Sequence, residues 1–205
     1  MIAIIDYGMG NVASVKKALD KLGASAAITR EADVISQASH IILPGVGAFG
    51  DGIKNLHEYG LVDILRQQVI VKKVPFLGIC LGLQLLAEKG YEYGEHQGLG
   101  WIQGETVKLA VGAEQRLPHV GWDNVNLIKD TPLFAGVSDL DFYFVHSYYF
   151  DCQEREVITA RCNYGVNFLA SLQQDNIFGT QFHPEKSQIS GLKVLENFIN
   201  YCGHA

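Results

Sequence analysis

The sequence lacks the features that mark several protein classes. It has no excess of positive charge: 16 Lys and Arg stand against 22 Asp and Glu, a formal net charge of −6. A broad nucleic-acid surface usually carries a basic stripe. The two basic doublets, Lys16-Lys17 and Lys72-Lys73, read instead as solvated helix or loop faces. No apolar run approaches the ~20 residues of a spanning helix. The Met1 to Asp6 start lacks the basic lead and long apolar stretch of a signal peptide. A cytoplasmic chain with neither membrane nor nucleic-acid partner is expected. Cysteine is sparse too: Cys80, Cys152, Cys162 and Cys202 show no CxxC spacing, so neither a zinc site nor a disulfide framework is implied. Metal is expected to be absent.

Repeats, low-complexity tracts and linker-like segments are also missing, so residues 1–205 read as one domain. A chain of this length buries around 70% of its unfolded surface and needs no covalent staples. Short apolar runs at Ile2 to Ile5, His40 to Leu43, Pro75 to Ile79, Phe142 to Val145 and Ile177 to Phe182 predict buried strands. Between the first two, Val12, Val15, Leu19 and Leu22 fall at helical spacing, with Asn11 as N-cap and Gly23 just past the end. Ile53, Leu56, Leu61, Ile64 and Leu65 predict a helix broken near Gly60, and Leu81 to Glu88 predicts another. From Trp101 to Gln174 short strand-like pieces alternate with turn signals, and Gly191 to Tyr201 returns to helical spacing. The expectation is an α/β domain with a mixed, mostly parallel sheet flanked by helices.

One thiol stands out by context. Gly78-Ile79-Cys80-Leu81-Gly82 follows an apolar strand and opens a helix, the arrangement of a nucleophile elbow. Glycines two residues before and after let strand and helix backbones approach closely. The sulfur falls beside a helix amino terminus, whose partial positive charge favours an anion. The Leu81 amide is placed to donate to a developing oxyanion. A buried inert cysteine with packing glycines is the plainer account of a lone GxCxG. Strand, nucleophile and helix in the required order weigh against it.

A second strand delivers His183, followed by Pro184 and Glu185. Pro184 holds His183 extended, and residues two apart in an extended segment share a side. Glu185 is then placed to orient one ring nitrogen while the other faces Cys80, giving nucleophile, base and orienter. His40, His57, His96 and His204 lack a matching carboxylate and read as surface or satisfied histidines; His119 and His146 sit among aromatics. The run Pro44 to Gly50 has the GxGxxG register at Gly45, Gly47 and Gly50, but no acidic residue follows at the ribose-binding distance. Its better reading is a donor turn in which the peptide at Val46 presents its N–H to the oxyanion beside that of Leu81.

With these motifs assembled, the chain resembles the class I, triad-type glutamine amidotransferases, whose fold is flavodoxin-like. The resemblance implies Cys80 as nucleophile, His183 as base and acid, and Glu185 as orienter. It also implies glutamine contacts at Gly45, Gly47, Gln84, Glu92, His146, Ser147 and Tyr148, with no cofactor. Asp6-Tyr-Gly-Met-Gly-Asn-Val12, Leu99 to Ile102, Pro118-His-Val-Gly-Trp122, Phe142 to Tyr149 and Phe178 to Gln188 narrow the likeness to glutaminase subunits of imidazole glycerol phosphate synthase. One position departs from that pattern: Asp123 stands where such chains commonly carry Asn. The resemblance implies a separate (β/α)₈-barrel cyclase as partner, since a barrel of ~250 residues cannot fit in this chain as well. Trp122, read as lying in a turn beside Gly121, and His119 are the expected contacts with it. The rivals are a glutaminase of an anthranilate, GMP or pyridoxal-phosphate synthase, a free-standing cysteine hydrolase, and a non-enzymatic interaction domain.

Overall fold

The computed structural model describes residues 1–112 and 115–203, so His204 lies outside the described residues. Strands β1 (Ile2–Ile5), β2 (Ala26–Thr29), β3 (His40–Gly45) and β4 (Phe76–Cys80) alternate with helices α1 (Val12–Lys21), α2 (Ala32–Ser36), α3 (Phe49–Glu58) and α4 (Leu61–Arg66). Helix α5 (Leu81–Gln84) follows β4 at once. The middle of the chain supplies β5 (Lys89–Gly90), β6 (His96–Gln97), β7 (Gly104–Lys108), β8 (His119–Leu127), β9 (Asp141–His146), β10 (Tyr148–Cys152), β11 (Ile158–Tyr164) and β12 (Val166–Gln174). Strand β13 (Ile177–Thr180) and helix α6 (Gln188–Ile199) close it.

A nine-stranded sheet runs in the order β2-β1-β3-β4-β13-β12-β11-β8-β9, and a smaller one in the order β10-β7-β5-β6. The large sheet is parallel from β2 to β13 and antiparallel from β13 to β9. The apolar runs have a direct cause. Along β1, Ile2 and Ile4 pack into one apolar cluster while Ala3 and Ile5 pack into the other. A parallel strand covered on both faces must be apolar at every position. The expectation of a mixed, helix-flanked α/β sheet is met, but its parallel part stops at β13 and does not make up most of it.

Three local expectations need correction. The helix predicted over Leu81 to Glu88 ends at Gln84. Its next carbonyls are taken by a neighbouring segment instead of by the helix: Leu99 N donates to Leu85 O at 2.9 Å, Trp101 N to Leu86 O at 3.0 Å and Gly98 N to Glu88 O at 2.8 Å. Strand β13 stops at Thr180 and does not reach Phe182. Trp122 lies within β8, not in a turn. The break at Gly60 is as expected, with φ +66 between α3 and α4.

This topology positions the site. The register pairs Gly45 with Cys80 and Ile79 with Thr180, so the ends of β3, β4 and β13 converge. In an open α/β sheet, the carboxyl ends of parallel strands are where ligands bind.

Candidate active site

Cys80 ends β4 with φ 52 and ψ −105, backbone angles that cost a non-glycine residue about 1–3 kcal/mol. The flanking glycines are required by contact. A Cβ on Gly78 would meet Gly82 O at 2.6 Å, and one on Gly82 would meet Leu43 O at 1.8 Å. The strained turn leaves Cys80 5% exposed, and its sulfur faces a cleft of about 330 Å³. Gln181 Nε2 donates to Sγ at 3.5 Å, and the thiol reaches Val145 O at 3.9 Å. Leu81 opens α5, so its amide has no intrahelical acceptor.

His183 adjoins Cys80 and is fully buried. Its backbone is locked to β9: His183 N donates to Tyr143 O at 2.9 Å, while Ser187 Oγ donates to His183 O at 2.7 Å and accepts from Tyr143 N at 3.0 Å. Glu185 Oε1 and His183 Nδ1 are 2.8 Å apart, and both side chains are fully buried. The sequence implied an extended segment here; instead a 3₁₀ turn over Pro184–Lys186 follows His183 and brings Glu185 back against its ring. His183 Nε2 is buried without a hydrogen-bond partner. Burial opposes a charged ring. The neighbouring Cys80 and Glu185 side chains outweigh it, so the pKa of His183 stands above the ordinary imidazole value.

Two residues of this constellation escape a reading of the sequence. Asn11 sits before α1 in the left-handed region, φ 65, yet makes no side-chain cap. Its Nδ2 donates instead to Glu185 Oε1 and lies 3.3 Å from His183 Nδ1. Gln181, fully buried, links Cys80 to Gln84, whose Nε2 donates to Gln181 Oε1 at 3.1 Å. Gln181 stands two residues before His183 but beyond the end of β13, so strand alternation does not single it out. Nothing local marks Asn11, because its partner is 174 residues away.

The cleft is lined by Val46, Gly47, Leu81, Gln84, Glu92, His146, Ser147 and Tyr148, together with Tyr93 and Pro118. Gly45 lies beneath it, buried against Tyr7. Gln84 also braces the wall, its Nε2 donating to Tyr148 O at 2.8 Å. Glu92 accepts the Phe49 N–H at 3.0 Å, at the start of α3. Partial burial raises the Glu92 pKa and that hydrogen bond opposes the rise. Val46 differs from the expectation: its N–H donates to Met9 O at 3.0 Å and not into the cleft. Gly47 beside it holds φ +123.

Burial pushes the thiols of Cys152 and Cys162 up to about 11 and about 12, so both are protonated at neutral pH. His40 is satisfied by Tyr201 O at 2.9 Å. His146 is held neutral, its pKa driven down to about 3 by burial in spite of a 2.8 Å bond to Tyr148 O. His119 does not share a surface with Trp122. Alternation along β8 turns His119 inward at 1% exposed and leaves Trp122 outward at 45%. His119 stacks on Tyr164 at 3.9 Å and on Phe144 at 5.0 Å. Among the described residues no group of three or more His, Cys, Asp or Glu is placed to hold a metal, and no helix is long and apolar enough to cross a membrane.

Comparison with known proteins shows the family of the chain. Residues 3–201 match the family profile described as glutamine amidotransferase class-I. The chain is 50% identical over 200 residues to imidazole glycerol phosphate synthase subunit HisH 1 of Campylobacter jejuni (strain RM1221), spanning 97% of this chain and 99% of that one. It is 49% identical to imidazole glycerol phosphate synthase subunit HisH of Aquifex aeolicus (strain VF5), spanning 95% and 94%. A solved structure described as a glutamine amidotransferase shares the fold with a TM-score of 0.76 at 21% identity, over 97% of both chains.

Proposed function

We propose a mechanism for a chain that belongs to the class-I glutamine amidotransferase family and, within it, to the HisH subunits of imidazole glycerol phosphate synthase. It is a glutaminase subunit acting in histidine biosynthesis, with a partner subunit in the same synthase. In the mechanism, L-glutamine enters the 330 Å³ cleft with its side-chain amide carbon at Cys80 Sγ. His183 Nε2 takes the thiol proton as the sulfur attacks, and Glu185 stabilises the imidazolium. The N–H groups of Leu81 and Val46 receive the oxyanion. His183 returns the proton to the departing nitrogen, ammonia leaves, and a γ-glutamyl thioester remains on Cys80. Water, deprotonated by His183, then attacks the thioester to give glutamate and free Cys80. Glu92, with Gly47, Gln84, His146, Ser147 and Tyr148, forms the wall against which glutamine is held, and Glu92 attracts its α-amino group.

The observation that carries this reading is the fully buried His183–Glu185 pair beside a sulfur held on a strained elbow. Buried charge of this kind is costly unless paired, and the pairing here raises the proton affinity of the ring that adjoins the thiol. A free-standing hydrolase fits less well, because the Val46 N–H is tied to Met9 O. That bond makes the site a switched one: glutamine hydrolysis is slow in the isolated chain and rises when the partner subunit docks. We assign the partner as a (β/α)₈-barrel cyclase that takes the ammonia through its interior to form imidazole glycerol phosphate and aminoimidazole carboxamide ribonucleotide. The setting is the cytoplasm, consistent with four cysteines that all stay free.

Cys80→Ala tests the assignment. In the synthase complex it should abolish glutamine-dependent product formation while synthesis from free ammonium salts continues at the wild-type rate. Loss of both activities would make Cys80 a structural residue and remove its role as nucleophile.

A further inference from the structure

We propose that Tyr7 is a positioning residue for the oxyanion donor: its hydroxyl donates to the Gly45 carbonyl oxygen when the Gly45–Val46 peptide turns to bring the Val46 N–H into the cleft, an assignment that rests on the glutaminase reading of the site. Tyr7 follows β1 and is 1% exposed, and its Oη is buried without a hydrogen-bond partner. An unpaired buried hydroxyl costs free energy, and phenylalanine would fill the same space without that cost. A hydroxyl kept under such conditions points to a second arrangement of the site in which it is paired.

The hydroxyl lies against the one peptide that has to move. A Cβ built on Gly45 would sit 2.0 Å from Tyr7 Oη, so only glycine fits there. Met9, two residues beyond Tyr7, accepts the Val46 N–H at 3.0 Å. Turning the Gly45–Val46 peptide exchanges its two ends. The N–H swings toward the cleft, and the Gly45 carbonyl takes its place facing Met9 O. Two carbonyl oxygens then confront each other at a buried residue, and a donor is needed between protein groups where water is scarce. Tyr7 Oη is the unpaired donor at that spot. Its cost falls on the arrangement with Val46 bound to Met9 and is relieved in the turned arrangement. The phenol therefore narrows the free-energy gap that partner docking has to close.

Tyr7→Phe removes only the oxygen. In the complex with the partner subunit, the variant should hydrolyse glutamine with kcat about tenfold lower and KM unchanged. Ammonia-dependent synthesis should stay at the wild-type rate, and the thermal midpoint of the chain should be equal or higher. An unchanged kcat overturns the proposal. A joint fall of kcat and thermal midpoint also overturns it, since that pattern marks a hydroxyl with a structural bond. Failure of the underlying glutaminase reading shows up separately, as glutamine hydrolysis that survives Cys80→Ala in otherwise wild-type complex.

Discussion

Asp123 Oδ2 lies 2.6 Å from His119 Nε2, and this pair begins a chain that is one proton short. His119 Nδ1 is 3.1 Å from His146 Nε2, and His146 Nδ1 is 2.8 Å from Tyr148 O. A carboxylate stands at one end and a carbonyl at the other, both acceptors. Three hydrogen bonds need three protons, and two neutral imidazoles carry two. Burial lowers the proton affinity of His119, against the pull of Asp123, and drives that of His146 to about 3. Uptake of the third proton is thus opposed. An Asn at 123 would supply that proton from its own amide.

Asp123→Asn should therefore stabilise the protein at alkaline pH. One further hydrogen bond, between the buried ring and a part-exposed side chain, is worth about 1 kcal/mol, or about 2–4 °C in a domain of this size. The sign of the pH dependence follows from the lowered affinities of the two rings. Below the ordinary histidine value of about 6.5 the unfolded chain binds protons that the folded rings resist, so wild-type stability falls as pH drops. Uptake of the missing proton by the folded chain limits that fall only in wild type. The advantage of Asp123→Asn should then be largest near pH 8 and shrink toward pH 5. Thermal unfolding of both proteins across that range checks it, and an advantage that grows on acidification would contradict the proton count.

Glu185→Gln keeps the shape of the buried pair and removes its charge. Two of the influences that hold the pKa of His183 high come from Glu185, beside those from Cys80. The raised value contributes stability that is complete below about pH 6.5 and is lost as pH rises through the folded pKa. In the variant the His183 titration should move downward, visible by NMR of the ring. The loss of stability on the alkaline side should begin at lower pH than in wild type. Glutamine turnover in the complex should drop by about 10²–10⁴-fold, the range for losing a general base's orienter.

Asn11 separates backbone from side-chain effects. Asn11→Gly retains the left-handed φ of 65 and loses only the amide that holds Glu185. Its kcat should fall by about 10–100-fold, the worth of a hydrogen bond to a charged group, with KM for glutamine unchanged. Asn11→Ala should show the same kcat and lose about 1–2 kcal/mol of stability besides, from Cβ strain in that region. Equal stability of the two variants would count against the strain; equal kcat with wild type would count against the bond.

These cases divide what a sequence discloses from what it hides. The elbow and His183-Pro184-Glu185 are local patterns, each fixed by a few adjacent residues, whereas the turn at Val46 gives its N–H to Met9 O and not to the cleft. The parallel half of the sheet is legible for the same reason: the apolar residues of β1, β3 and β4 alternate between two clusters because both faces are covered. What stays hidden depends on pairs far apart in the chain. Helix α5 is cut short by carbonyl bonds to residues 98–102, and Asn11 is drawn from its capping role by Glu185. Proximity in sequence groups His119 with Trp122, although alternation along β8 puts them on opposite faces.

Trp122 then remains the exposed anchor on its own. It is 45% exposed on the outward face of β8, next to Val120 at 55%, and its ring lies edge-on to Tyr143 at 6.1 Å. This face borders the cleft, because Val120 pairs with Val145 across the sheet and Val145 lines the opening. A partner that takes ammonia from Cys80 has to cover the surface beside that opening. Large apolar side chains at the centre of such interfaces carry much of the binding energy, about 2 kcal/mol or more each. Trp122→Ala should accordingly raise the dissociation constant for the partner subunit by about 30-fold, measured by calorimetric titration. Val71→Ala supplies the comparison. It is 59% exposed but precedes β4 and so lies at the opposite end of that strand from Cys80. Its affinity should match wild type, and a Trp122→Ala titration that also matches wild type would place the interface elsewhere on the chain.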